Sequence, residues 1–333
     1  MIENLIKNRN NKKVTDSEII PPVERDFDGL LIVNKDKGPT SFDVVRRLRR
    51  ITNTKRIGHT GTLDPFATGV LVFCLGKGTK IVQFIDDWEK EYIGKIKLGE
   101  ETDSYDSFGK TVKRNSKFVC DEESIGEVVG SFKGEIWQTP PVFSAIKHKG
   151  KRLYQLAREG KRIGMKKRKV TIKNIEVLKI KLPFVCIRVR CFKGTYIRSL
   201  GFDVGRRLGC GAHLFSLCRT RVGPYRLKDS FTQDRIEKIK EQGGVKKIII
   251  PIEKALEDFP SLVVFEKFKT KIRHGQEIKA EDIKSIEKDF SENEKVVLKD
   301  DSGKVLAIGQ SLVGCKNLSD NGKTLFKYKR VLW

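Results

Sequence analysis

The stretch RIGHTGTLDPFATGVL, residues 56–71, sets one histidine, His59, and one carboxylate, Asp64, among three glycines ahead of an apolar run. A lone carboxylate can act as a nucleophile, as an ion-pair partner, or only as a structural cap. The neighbours support the cap: Pro65 suits a first helical position, Asp64 the N-cap, and Gly69 would stop the helix after barely one turn. The glycines ask for more. Gly58 and Gly61 flank His59, and paired glycines belong where the backbone takes φ > 0 or something approaches it closely.

A second candidate is Arg198. The segment VCIRVRCFKGTYIRSLGFDVGRRLG (185–209) alternates as a strand to Phe192, turns at Lys193 and Gly194, and resumes at helical spacing with Ile197, Leu200, Val204 and Leu208. With Thr195 as N-cap, Arg198 falls in the first turn, where the helix dipole disfavours a cation by about 0.3–1 kcal/mol. An arginine there wants an anion, either a carboxylate from elsewhere or a substrate phosphate. A third candidate region is KHKGKRLYQLAREGKRIGMKKRK (147–169), in which Tyr154 and Leu156 interrupt a dense cationic field that includes Lys151. That is the pattern of an arm that grips a nucleic-acid backbone while presenting an aromatic.

Composition agrees with a polyanionic partner. The 333 residues carry 68 Lys and Arg against 43 Asp and Glu, a formal net charge of +25, which on a non-repetitive chain points to nucleic acid. The rival partner, an anionic membrane, lacks support: no amphipathic basic helix with exposed aromatics stands out, and no apolar run approaches the ~18 residues that span a bilayer. MIENLIKNRNNKKVTDSEII lacks the features of a secretion signal, so a cytoplasmic protein is expected. Seven cysteines form no CxxC pair, four histidines have no metal spacing, and no phosphate-binding loop GxxxxGK[ST] occurs. GCGAHL (209–214) fails as a dinucleotide fingerprint. The acidic EETDSYDSFG (100–109) lacks the ligand order of a calcium loop and reads as a surface turn. The chemistry is expected to need no metal and no cofactor.

The positioning elements follow from periodicity. LLIVNK reads as a strand after Gly29. Thr40 or Ser41 caps the helix SFDVVRRLRRI, with Phe42, Val45 and Leu48 on one face and Arg46, Arg47, Arg49 and Arg50 off it. VLVFCLG (70–76) is a buried strand, and EYIGKIKLG (91–99) alternates, turning Tyr92, Gly94, Ile96 and Leu98 to one side. On that pattern alone Tyr92 is a core tyrosine.

Taken together, GLLIVNKDKGPTS, GHTGTLDPFATGVLVFCLGKGTK, KEYIGKIKLGEETDSYDSFG, TPPVFSAIKHKGKRLYQLAREG, CFKGTYIRSL and GCGAHLFSLCRT resemble, in order, the motifs of the TruB-type tRNA pseudouridine synthases. The resemblance runs from about residue 28 to the C-terminus. It implies an α+β pseudouridine synthase fold, with a mixed, largely antiparallel sheet flanked by helices, plus a small C-terminal PUA-like β-barrel. The implied division is a flexible arm (1–27), a catalytic domain (28–227) with the basic insertion at about 147–169, a linker (228–259) broken at Gly243–Gly244, and the RNA-binding module (260–333).

The resemblance also implies isomerisation of the T-loop uridine 55 of tRNA without guide RNA, cofactor, metal or protein partner. By resemblance Asp64 is the catalytic aspartate, Arg198 its ion-pair partner, and Tyr92 the tyrosine that stacks on the target base and relays a proton. Leu217 walls the uracil pocket, His59 fills the space left by the flipped base, and Lys35 lies beside the first motif's loop. Lys151 and Tyr154 belong to the thumb that closes on the T arm. Asp36 stands where the family usually has proline, and Cys218 where Leu-Arg-Arg is common. Two other readings remain: a non-catalytic RNA-binding or RNA-folding protein, and a guide-dependent synthase of the dyskerin branch.

Overall fold

The computed structural model describes residues 27–144, 147–148, 151–152, 164–317 and 324–332. The expected arm, except Phe27, lies outside the described residues, as does Tyr154. In the first half the strands are β1 (Gly29–Lys35), β2 (Ile57–His59), β3 (Thr68–Leu75), β4 (Lys90–Leu98), β5 (Glu100–Thr102), β6 (Thr111–Arg114) and β7 (Gly134–Gln138). They are followed by β8 (Lys147–His148), β9 (Lys151–Arg152), β10 (Arg168–Lys181), β11 (Phe184–Cys191), β12 (Ala212–Val222) and β13 (Tyr225–Arg226). Nine of these form one sheet in the order β1-β3-β12-β4-β11-β10-β7, with β2 on β3 and β13 on β12. Every pairing in it is antiparallel except β3 with β12, where Gly69 stands opposite Arg219. The sheet is therefore mixed and largely antiparallel, as expected.

Strand alternation decides what each face buries. Tyr92, Ile96 and Leu98 of β4 join Val185, Ile187 and Val189 of β11, and Leu214 and Leu217 of β12, beneath Ile197, Leu200 and Val204 of the helix Ile197–Arg207. Leu31, Val33, Leu71 and Phe73 face the helix Ser41–Thr52. That helix is capped by Thr40, whose hydroxyl accepts from Asp43 N while the Asp43 carboxylate accepts from Thr40 N, closing a capping box. Its buried stripe is Val44, Val45, Leu48 and Ile51, whereas Phe42, expected on that face, is 59% exposed. The stripe centres on Val44 and Leu48, a four-residue step that leaves Phe42 on the outer side. Arg46, Arg49 and Arg50 are exposed, while Arg47 donates to Asp234 and Glu237.

The helix Ile197–Arg207 starts one residue later than Thr195 would place it. Tyr196 is its N-cap, and the Thr195 hydroxyl instead donates to Phe192 O at 3.0 Å. The Gln138 side chain stands in for the missing cap: its Oε1 accepts from Tyr196 N at 2.7 Å and its Nε2 donates to Tyr196 O at 2.9 Å.

Residues 228–259, expected as a linker, are folded onto the sheet. Leu30 N donates to Ile250 O and Ile250 N to Leu30 O, each at 2.8 Å, and Ile236 of the helix Gln233–Glu241 is buried against the helix Ser41–Thr52. Beyond them a second sheet of five strands runs β15-β14-β16-β17-β18, from β14 (Ser261–Val264), β15 (Ile283–Ile286), β16 (Lys295–Lys299), β17 (Val305–Ser311) and β18 (Phe326–Val331). Val297, Val305, Ile308 and Leu332 pack in one cluster with Leu30, Ile32, Val70 and Val72, so the two sheets share a core. No helix among the described residues is long and apolar enough to cross a membrane.

Candidate active site

Asp64 sits on a short loop fixed at both ends. β2 runs antiparallel to β3 with His59 opposite Phe73, and Gly61, at φ +91°, turns the chain out of the sheet, a conformation that favours glycine. Leu63 is pinned to the helix Ser41–Thr52: its N–H donates to Ser41 Oγ and its carbonyl accepts from the same hydroxyl, both at 2.9 Å. Pro65 O accepts from Gly38 N at 2.8 Å and from Lys35 Nζ at 3.4 Å. The one-turn helix expected after Asp64 is instead a turn closed by Ala67 N donating to Asp64 O at 3.1 Å, and the chain is extended again from Thr68. Gly69 does not stop a helix. It lies in β3 at φ +105°, where a Cβ would stand 2.3 Å from Arg219 O.

Arg198 reaches this carboxylate from the helix that begins at Ile197. Its Nη2 donates to Asp64 Oδ1 at 3.0 Å, and its Nε lies 2.9 Å from Oδ2 as an ion pair, off the line of a hydrogen bond. The same guanidinium donates to Ser104 O at 3.1 Å and to Phe143 O at 2.9 Å, and Nη1 stands 3.3 Å from Asp106 Oδ2. The first-turn arginine has therefore found its anions in the protein itself. The Arg198 and Asp106 side chains are 4% and 8% exposed but that of Asp64 is 32%, so Asp64 is the part of this network that meets solvent. Burial pushes the Asp64 carboxyl upward and Asp106 adds to the push, while Arg198 and Lys35 pull it back. A guanidinium on both oxygens and an open solvent side favour the ionised form against that push.

Tyr92 lies in β4 beside Leu217 of β12, both buried in the same apolar cluster. Its hydroxyl accepts from Arg219 Nη1 at 3.4 Å, and Arg219 also donates from Nε to Val70 O at 2.6 Å and from Nη2 to Gly61 O at 3.3 Å. Burial raises the Tyr92 phenol above its ordinary pKa, with Arg219 opposing. Two more buried cations flank the loop. Lys35 Nζ donates to Asp36 O, Pro39 O and Pro65 O; burial depresses its pKa to about 8, against the pull of Asp64. Lys90 Nζ donates to Asp86 O and Trp88 O, and its pKa is likewise brought down to about 8 by burial and then by Arg219. His59 is lowered by burial and by Arg219, which favours the neutral imidazole; its ring meets Phe73 edge-on at 6.1 Å.

The structure thus gathers Asp64, Arg198 and Lys35 around one loop and Tyr92 and Leu217 on the adjoining sheet face, with His59 at the loop's start. Lys151 lies in β9, paired with His148 of β8. Four neighbours were not singled out from sequence: Lys90, Ser104, Asp106 and Arg219. Asp106 and Ser104 fall in the acidic stretch expected as a surface turn, yet both are buried, because Tyr105 O accepts from Leu214 N and Ser107 N donates to Leu214 O, binding the turn to β12. No local pattern signals that. Arg219 was legible: it shares strand parity with Leu217, so whatever face buries one buries the other.

Similarity to known proteins agrees with this geometry. The description "TruB family pseudouridylate synthase (N terminal domain)" matches residues 49–197, and "tRNA pseudouridylate synthase B C-terminal domain" matches residues 198–257. A tRNA pseudouridine synthase B of Clostridium tetani is 47% identical over 253 residues, covering 76% of this chain and 86% of that protein. One of Clostridium acetobutylicum is 42% identical over 301 residues, covering 90% and 99%. Among solved structures, a chain of a Cbf5-Nop10-Gar1 complex superposes with a TM-score of 0.72 at 29% identity, covering 92% of this chain and 85% of that one. With two matched models spanning most of the chain and such relatives along it, the chain belongs to the TruB family of pseudouridylate synthases and is an isomerase.

Proposed function

We propose that the protein isomerises uridine 55 in the T loop of tRNA to pseudouridine, with Asp64 as the nucleophile and no guide RNA or protein partner. The reaction exchanges the N1–C1′ bond for a C5–C1′ bond, one proton leaving C5 and one reaching N1. The observation that carries the reading is the Asp64 carboxylate, held on the Arg198 fork and open to solvent beside the buried Tyr92. A fixed, ionised carboxylate can add to uracil C6, or assist at C1′ with loss of the C2′ proton. Tyr92 stacks on the base and relays a proton, and Leu217 walls the ring. His59 takes the space of the flipped base, and Lys35 fixes the loop through Pro65 O.

Flipping a base out of its stack costs a few kcal/mol, which phosphate contacts offset. The strongly basic segment 147–169, with Lys151 and Tyr154, supplies such contacts to the T arm, and residues 260–333 act as a PUA-like RNA-binding module. A cytoplasmic location suits this substrate. The Cbf5 chain was solved with Nop10 and Gar1, which favours a partner-dependent reading, but relatives at 42–47% identity bear the name tRNA pseudouridine synthase B, which favours a tRNA substrate.

The test is to incubate unmodified tRNA with the purified protein and map modified uridines. Pseudouridine at position 55 without added guide or partner is expected, and Asp64→Asn should abolish product while tRNA still binds. Abundant product from the Asn variant, or none from the wild type until a guide RNA is added, would overturn the reading.

A further inference from the structure

Arg219 is 1% exposed, and among the described residues no carboxylate forms an ion pair with it. Its guanidinium is held by neutral oxygens alone: Val70 O, Gly61 O and the Tyr92 hydroxyl. A buried cation without a counter-ion is costly. Its charged neighbours add to the cost, because Lys35 and Lys90 are close enough to be perturbed by it. Arg198, equally buried, has two carboxylates. The difference between the two arginines calls for an anion that arises only during the reaction.

We infer that Arg219 is a positioning residue for proton transfer, which holds the Tyr92 hydroxyl as a hydrogen-bond acceptor, aims the phenol's own proton at the bound base, and pairs with the phenolate left when that proton departs. The inference rests on the reading that Tyr92 faces the target uracil. Since Nη1 occupies a lone pair of the phenol oxygen, the O–H is free to point elsewhere. The guanidinium carbon also lies over the ring, 5.9 Å from its centre. At 3.4 Å the hydrogen bond is long, and such contacts tighten in the reacting complex.

The protons balance. Tyr92 gives its proton to N1 of the detached ring, becomes a phenolate paired with Arg219, and recovers a proton from C5 once the C5–C1′ bond has formed. The phenol ends as it began, and no oxidant or reductant is needed.

The experiment compares single-turnover rates in light and heavy water, the latter placing deuterium on the Tyr92 hydroxyl. Arg219→Gln keeps amide donors but loses the charge; it should slow the reaction about 100-fold with tRNA binding unchanged, and show a larger deuterium effect than the wild type because donation of the phenol's proton to N1, which leaves a phenolate without its cation, has become slow. Arg219→Lys keeps the charge without the fork, so its loss and its isotope effect should both be smaller than those of the Gln variant. A purely structural role would displace the Asp64 loop through Gly61 and slow an earlier step, leaving the rate indifferent to deuterium. If Arg219→Gln does not fold, Arg219→Lys carries the test, and a Lys variant with the wild-type rate or no added isotope effect overturns the inference. A folded Gln variant at the wild-type rate, or slowed without an isotope effect, overturns it equally. Tyr92→Phe separates the two levels: full activity removes the reading of Tyr92, whereas a slow Tyr92→Phe beside a fast Arg219→Gln overturns only the role of Arg219.

Discussion

Asp64 and Asp106 share one guanidinium: Arg198 Nη2 donates to Asp64 Oδ1 at 3.0 Å, while its Nη1 stands 3.3 Å from Asp106 Oδ2. Two carboxylates from loops 42 positions apart in the numbering are thereby tied to one helix. Asp106 is further fixed by Ser104 Oγ, which donates to its Oδ1 at 2.8 Å, and by Phe108 N at 3.0 Å. It braces the arginine from the side opposite the solvent.

Removing the arginine leaves both carboxylates facing each other without a cation. Arg198→Met should cost about 3 kcal/mol, the lower end for a broken buried pair because Asp64 is partly solvated. Asp106→Asn keeps shape and several hydrogen bonds but frees the guanidinium to swing, and a displacement of about 1 Å at a reacting group costs about 100-fold in rate. Urea unfolding and single-turnover pseudouridine formation measure the two effects. An Asp106→Asn enzyme as fast as the wild type would show that the brace is dispensable.

The parallel crossing of β3 and β12 has its own weak point at Gly69. An alanine there would need φ +105° and would drive its Cβ to 2.3 Å from Arg219 O and 2.8 Å from Arg219 N. Backbone strain alone costs about 1–3 kcal/mol, and the clash adds to it by forcing β3 and β12 apart. Gly69→Ala should therefore lower stability and activity together, whereas Gly126→Ala, inside the helix Glu122–Gly130 with nothing within 4 Å, should leave activity unchanged and raise stability by about 0.5–1 kcal/mol. Thermal unfolding of the two variants in parallel decides it.

Much of this site is legible in the sequence, and the rest shows where local reasoning stops. Arg198 could be marked because a first-turn cation is a local anomaly, and Tyr92 could be placed on the buried face of its strand by alternation, whereas Leu217 is marked only by the family resemblance. Asp64 was ambiguous: its cap geometry gave a helix that the crowded β3–β12 crossing does not allow. Asp106 was misplaced because a turn rich in acids looks solvated unless a distant strand, here β12 through Leu214, closes over it. The 228–259 stretch looked like a linker for the same reason. Its apolar residues, Phe231, Ile236, Ile248 and Ile249 among them, pack against β1 and the helix Ser41–Thr52, more than 170 positions away in the numbering.

Lys35 and Lys90 make a pH prediction with a definite sign. Burial is the largest cause of their depression to about 8 from an ordinary 10.5. Below pH 8 both folded and unfolded chains hold these protons, so their contribution is flat. Between about 8 and 10.5 the unfolded chain binds more protons than the folded one, and the unfolding free energy contributed by these lysines rises with pH. Buried cysteines and tyrosines with raised pKa values act in the opposite sense, so the measurement is a difference. The unfolding free energy of the wild type minus that of Lys90→Met should rise as pH goes from 8 to 10.5. A constant difference would mean that Lys90 titrates alike in both states.

The shared core between the two sheets makes the five-stranded sheet part of the first sheet's stability. Ile308 of β17 is fully buried in the cluster that also holds Leu30 and Ile32 of β1 and Val70 and Val72 of β3. Ile308→Ala removes packing atoms from both sides of that junction and should cost about 2–5 kcal/mol. If the junction is part of one cooperative unit, hydrogen exchange at the amides of β1 and β3 will accelerate along with that of β17, and the variant will unfold in a single transition at a lower urea concentration. Independent units would behave otherwise, with faster exchange confined to β14–β18 and protection in β1 and β3 unchanged. The isolated catalytic part would then also tolerate loss of residues 260–333. The apolar side chains of Ile32, Val70 and Val72, covered in the whole protein by Val297, Val305 and Leu332, argue that it will not.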